Sequence, residues 1–233
     1  MKFFKNVQFY RIVVCIFYLL FFLSISLTGN FKIFVRKFYF PYIIIGILIL
    51  IFILVVETKK LKKFKETDVY DILSFIIFLF PILLFLIVKP TTLPTYAAIK
   101  RGIQTEFLSE DILKSLYEKI ETEGKYKKLT IKQILGFSKS KPEEINERDV
   151  AVEGMVYKGE EKEKFTLIRF LITCCAADAT PLGIEVKYKG ERKELKNEEW
   201  VKVKGKVKIE EGKVKIYAEE IEKTNPPKDP YIY

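Results

Sequence analysis

Three long stretches of the N-terminal part carry no charge: 20 residues between Arg11 and Lys32, 19 between Lys37 and Glu57, and 17 between Asp71 and Lys89. A helix needs roughly 17 to 25 apolar residues to cross a hydrocarbon core. The pattern therefore predicts three transmembrane helices, at about 12–31, 38–56 and 72–88, within a membrane domain spanning 1–89. The first run lacks the small-x-small cleavage site of a signal peptide and two more spans follow it, so it reads as a retained helix. Pro41 opens the second run and Pro81 lies inside the third, a helix start and a kink that membrane helices accommodate. Few ionisable residues fall within the runs, so the helices read as anchors or partner-binding surfaces and not as an ion pathway.

Beyond Lys89 the pattern changes twice. Pro90 and Pro94 mark an extended exit into a connector, 90–148, with short helices. Ser109, Glu110 and Asp111 offer an N-cap and acidic first turn to a helix whose apolar face is Ile112, Leu113, Leu116, Tyr117 and Ile120, ending at Gly124. A second helix starts at Thr130 and uses Ile131, Ile134 and Leu135. From Asp149 the period becomes two: Val150, Val152, Gly154 and Val156 alternate with other residues, and Val201, Val203, Gly205, Val207 and Ile209 alternate with four lysines. Runs at 165–173, 184–188 and 213–221 complete five short strands. Glycines repeat where a strongly coiled strand must bend, in Val152-x-Gly154-x-Val156 and Val203-x-Gly205-x-Val207. The predicted fold class is membrane α plus soluble β: three transmembrane helices, one or two short helices, then a small barrel of oligonucleotide-binding type over 149–233.

Charge sharpens this division. Up to Lys100 there are 13 Lys and Arg against 4 Asp and Glu, a balance of +9; from Arg101 there are 27 against 26, a balance of +1. The barrel is thus near neutral, and its lysine stripe, Lys202, Lys204, Lys206 and Lys208, reads as a solvated strand face. No nucleic-acid partner is expected, because such binding needs clustered basic charge on the binding domain itself. Trp200 reads as core. In the membrane part, Lys2, Lys5, Arg11 and Lys59, Lys60, Lys62, Lys63, Lys65 fall on one side of the three spans. Lys32, Arg36, Lys37, Lys89, Lys100 and Arg101 fall on the other. The excess of eight over six places the N-terminus in the cytoplasm and the C-terminal domain outside a cell membrane.

Chemistry concentrates at one place. The chain has no histidine and 3 cysteines, too few for a disulfide framework. Cys174, Cys175 and Asp178 are its tight cluster of potential ligands, at the end of a strand and before Pro181 and Gly183, which read as turn residues. Neighbouring side chains of an undistorted strand point to opposite faces, so both sulfurs reach one ion only if the backbone turns there. The same residues fit two other readings: packed free cysteines in an interaction module, or a vicinal thiol redox pair. No enzymatic activity is expected, since neither a histidine nor a second thiol pair supports catalysis.

The stretch from Phe170 to Gly183, with its Cys-Cys-x-Ala-Asp core, resembles the signature of the YcgQ-like family of permease subunits. Pro90 to Gly102, Trp200 to Gly205 and Pro227 to Tyr233 are also similar to that family. The resemblance implies a membrane-embedded N-terminal part, a small C-terminal β domain and a separate multi-span permease as partner. It also implies a link to metal homeostasis, zinc especially. Without histidine, thiolates, carboxylate and water are left to hold zinc or another thiophilic metal.

Overall fold

The computed structural model describes residues 6–60, 67–87, 91–106, 120–159, 163–188 and 195–233. The chain divides into two compact units, Met1–Thr91 and Thr92–Tyr233.

The first unit contains α1 (Val7–Thr28), α2 (Phe40–Lys60) and α3 (Val69–Ile87), joined between α1 and α2 by two 3-10 turns. At 1.5 Å per residue these helices are about 28 to 33 Å long, close to the ~30 Å of a hydrocarbon core. All three are long and apolar enough to cross a membrane. Asn6 caps α1 by accepting a hydrogen bond from the Gln8 N–H at 3.1 Å, and Gly29, at φ 72°, ends it in the left-handed region. Leu27 is 86% exposed and Ile87 81%, an arrangement that water would penalise and lipid favours. α1 packs against both α2 and α3.

These helices are displaced along the charge-free stretches: they take in Arg11 near the start of α1, Glu57 in the last turn of α2 and Asp71 in the first turn of α3, while α1 stops at Thr28, short of the end of its run, and α2 begins only at Phe40. A run without charge measures the hydrocarbon, whereas the backbone ladder continues until a cap or a break stops it.

The second unit opens with α4 (Thr95–Arg101). The helix read over residues 109–124 lies for the most part outside the described residues, and its far end differs from expectation. Glu121–Glu123 is strand β1, paired antiparallel with β2 (Tyr126–Lys128), and Gly124, at φ 61°, turns between them. A glycine in that conformation ends a helix or opens a hairpin equally well, and the polar run around it had no apolar face to decide for a helix. Next come α5 (Ile131–Ser140) and α6 (Pro142–Ile145). Thr130 caps α5 reciprocally: its hydroxyl accepts from the Gln133 N–H at 3.2 Å, while the Gln133 side chain accepts from the Thr130 N–H at 2.9 Å.

Five strands follow: β3 (Asp149–Tyr157), β4 (Lys164–Leu171), β5 (Thr180–Tyr188), β6 (Trp200–Glu210) and β7 (Lys213–Lys223). β3 pairs with β4, β4 with β5 and β6 with β7, all antiparallel; β5 and β7 run parallel; β6 closes onto β3. The circuit β3-β4-β5-β7-β6-β3 is the Greek-key order of an oligonucleotide-binding-type barrel. Ile131, Ile134 and Leu135 of α5 are fully buried and join Val152, Leu167, Ile184 and Val203 in the main core.

Gly205 lies at a register shift between β6 and β7, where a Cβ would sit 2.2 Å from the Tyr217 carbonyl oxygen. Only a residue without a side chain allows the two backbones to approach there.

A second buried cluster contains Met155, Ile168, Phe170 and Trp200, packed with Ala98 of α4 and Tyr231 of the C-terminal tail. The tail adds to the end of β4. Ile232 bridges Leu171 in parallel, donating to the Phe170 carbonyl at 2.8 Å and accepting from the Ile172 N–H at 2.9 Å. The Arg169 guanidinium holds the tail carbonyls of Asp229 and Pro230 at 2.7 and 3.3 Å. The lysine stripe is ion-paired: Lys202 with Glu123 at 3.0 Å, Lys204 with Glu123, Glu220 and Glu222 at 3.1 to 3.2 Å, and Lys208 with Glu147 at 3.1 Å.

Candidate metal centre

β4 ends at Leu171, and the tail holds the chain one residue further, at Ile172. Past that point the continuous strand is broken by the bend at Thr173 and Cys174, and Cys175 returns to extended backbone only after it, so the alternation that would separate the two sulfurs no longer applies. Thr173 and Cys174 bend, and Ala176–Asp178 forms a single 3-10 turn before β5 begins at Thr180.

Pro181 and Gly183, which read as turn residues, lie inside β5. Proline sits there at the second position of the strand, where a missing N–H is tolerated. Its carbonyl accepts from the Gln104 N–H at 2.9 Å, and the Gly183 N–H donates to the Gln104 carbonyl at 3.0 Å. At Gly183 a Cβ would lie 2.4 Å from Ile103 Cγ2. That glycine admits residues 103–104 alongside β5 and does not turn the chain.

Asp178 organises the turn. Its Oδ1 accepts from the Thr173 N–H at 3.1 Å, and its Oδ2 accepts from the Cys174 N–H at 2.7 Å and the Cys175 N–H at 3.4 Å. Three converging N–H groups suit a carboxylate. Burial works to raise the pKa of Asp178, but the donated Cys174 thiol and these N–H groups outweigh it and hold the carboxyl below its ordinary value. The Cys174 thiol is pushed up to about 12, first by its hydrogen bond to Asp178 and then by the neighbouring Cys175 sulfur.

The outer side of the turn is held by Arg101, the last residue of α4. Its guanidinium donates to the Ala179 carbonyl at 2.6 Å and the Ala176 carbonyl at 3.3 Å.

The Cys174 and Cys175 sulfurs lie 3.5 Å apart, both thiols are free and both residues are half-buried, while Asp178 is exposed. One ligand atom from each of the three residues fits within a 4.8 Å group, the sole cluster of at least three potential metal ligands among the described residues. Tetrahedral zinc with bonds of about 2.3 Å to sulfur separates its sulfurs by roughly 3.8 Å. The sulfurs therefore already stand near the required spacing, and two thiolates with one carboxylate leave a fourth position open. The donor set fits a thiophilic or borderline cation.

Sequence reasoning picked out all three residues. It did not identify the clamp. Arg101 lies 73 positions before Cys174 in the chain and forms no local motif with it.

Residues 118–233 match the DUF1980 C-terminal domain, an uncharacterised family. The matched stretch includes the hairpin, the barrel, the Cys-Cys turn and the tail. No curated protein matches the chain.

Proposed function

We propose that this protein is a membrane-anchored accessory subunit of a permease, whose barrel binds or hands over a thiophilic cation, zinc or copper, at Cys174, Cys175 and Asp178. The observation that carries the metal reading is the pair of half-exposed sulfurs 3.5 Å apart beside a carboxylate, on a turn fixed from within by Asp178 and from outside by Arg101. Coordination deprotonates a thiol outright, so a metal replaces the proton that Cys174 otherwise shares with Asp178.

The permease partnership is supported by the resemblance to the YcgQ-like family and by three spans that carry little membrane-depth charge of their own. The redox alternative is weakened by the same turn: a thiol held at about 12 is protonated at neutral pH and a poor nucleophile. The purely structural alternative is weakened by the exposure of the pair, which packing would hide.

The test uses the full-length protein in detergent under reducing conditions. One equivalent of zinc or copper is expected to bind, and binding is lost in the Cys174→Ser, Cys175→Ser variant. Equal binding by both proteins removes the metal reading. Recovery of a multi-span membrane protein with the wild type, identified by mass spectrometry, tests the partnership, and its absence at stoichiometric yield removes that part.

A further inference from the structure

A cavity of about 380 Å³ opens among the three helices of the first unit, and its walls include Arg11, Glu57 and Asp71 together with Ile53, Phe75 and Phe78. The three charged residues come from the start of α1, the end of α2 and the start of α3, so they gather at one end of the bundle. In three helices of spanning length, an end that gathers charged residues belongs at the headgroups, with the apolar walls running toward the hydrocarbon.

Glu57 is the informative member. It is only 8% exposed. Its Oε1 accepts from Lys60 at 3.1 Å, but its Oε2 is buried with no hydrogen-bond partner among the described residues. A buried carboxylate oxygen left without a donor is costly, and such an atom in a cavity wall calls for a donor from the occupant. No ion pair joins Arg11 to Glu57 or Asp71 among the described residues, so the cavity offers a cationic and an anionic partner at once. A bare divalent cation suits it poorly, because the guanidinium repels it and no group of three metal-ligating residues lies there among those described.

We infer that this cavity binds a phospholipid with a primary ammonium headgroup, its phosphate at Arg11, its ammonium at Glu57 and Asp71, and its acyl chain along Ile53, Phe75 and Phe78. Guanidinium pairs with phosphate, and an ammonium supplies the N–H that Glu57 Oε2 lacks. A quaternary choline group has no N–H and leaves that oxygen unsatisfied.

The experiment reads lipid retention on the full-length protein in detergent by native mass spectrometry, with phosphatidylethanolamine, phosphatidylcholine and phosphatidylglycerol at equal concentration. Phosphatidylethanolamine is expected to be retained about tenfold over phosphatidylcholine, the scale of one charge-assisted hydrogen bond. Glu57→Gln reduces that ratio to below about twofold, and Glu57→Asp, which keeps the charge, preserves it, separating lost charge from disturbed packing. Arg11→Gln weakens both lipids together. Soluble glycerophosphoethanolamine at the same concentration does not displace the lipid. Equal retention of the ethanolamine and choline lipids overturns the proposal, as does preferred retention of phosphatidylglycerol, an unchanged ratio in Glu57→Gln, or displacement by the soluble headgroup. None of these outcomes bears on metal binding by the barrel.

Discussion

Asp178 does two things that a single substitution can separate. As a carboxylate it gathers three backbone N–H groups, and as a hydrogen-bond acceptor it keeps the Cys174 proton in place. Its lowered pKa means that its contribution to the turn is complete above the ordinary carboxylate range and is lost as pH falls through its folded value. The raised thiol works from the other side: its contribution is complete below the ordinary value of 9.0 and is lost as pH rises toward about 12. In a Cys15→Ser, Cys175→Ser background, the rate of Cys174 alkylation should keep climbing with pH past 9, where an ordinary thiol levels off. Adding Asp178→Asn should bring the plateau down toward 9; a plateau unchanged by that substitution shows that Asp178 does not hold the proton. Metal competes with the same proton, so zinc affinity should rise with pH, by about tenfold per unit for each thiol proton displaced. Arg101 acts through the turn carbonyls and touches no ligand. Arg101→Gln should weaken zinc binding by roughly three- to tenfold, the scale of the net contribution of one ordinary hydrogen bond, and leave the alkylation plateau in place. Lys is the informative second variant: both bonds come from one guanidinium nitrogen, Nη1, so an ammonium that reaches the same place should retain most of the zinc affinity that Arg101→Gln loses.

At the scale of elements, close approaches between strands fix the barrel. Gly205→Ala drives a Cβ into the Tyr217 carbonyl, whereas Gly159 has nothing within 4 Å of the corresponding position. The first substitution should cost about 1 to 3 kcal/mol and the second almost nothing, as read by thermal unfolding of the barrel. Equal melting temperatures would show that the β6–β7 bulge adjusts freely. The repeated Val-x-Gly-x-Val made these bends legible in the sequence, because alternation and glycine are local signals. The helix start at Thr130 and the apolar face of α5 were legible for the same reason. What escaped was non-local. Pro181 and Gly183 mimic a turn until residues 103–104 are seen to lie against β5, and Gly124 mimics a helix end until β2 pairs with β1. The tail at Ile232 completes the edge beside the Cys-Cys turn from the far end of the barrel sequence, a pairing that no local pattern encodes.

For the whole molecule, the charge partition has a directional consequence. The N-terminal part, to Lys100, carries +9 and the remainder +1, and the described lysines of the barrel stripe are ion-paired to glutamates, so the basic excess is left to the membrane part and its flanks. The topology predicted from the basic residues before α1 and after α2 has the N-terminus in the cytoplasm and, with three spans, the C-terminal domain outside. In a Cys15→Ser background, a membrane-impermeant maleimide applied to intact cells should therefore reach Cys174 and Cys175. Labelling that appears only after lysis inverts the arrangement for the entire chain, because a single reversal moves both ends together. The two outcomes also differ in chemistry. Outside, thiols meet an oxidising medium in which an unmetallated vicinal pair is exposed to oxidation, and bound metal protects it; zinc present during the labelling should then slow modification. In the cytoplasm the pair stays reduced without metal, so ion binding there competes with the thiol protons, among them the Cys174 proton that Asp178 holds.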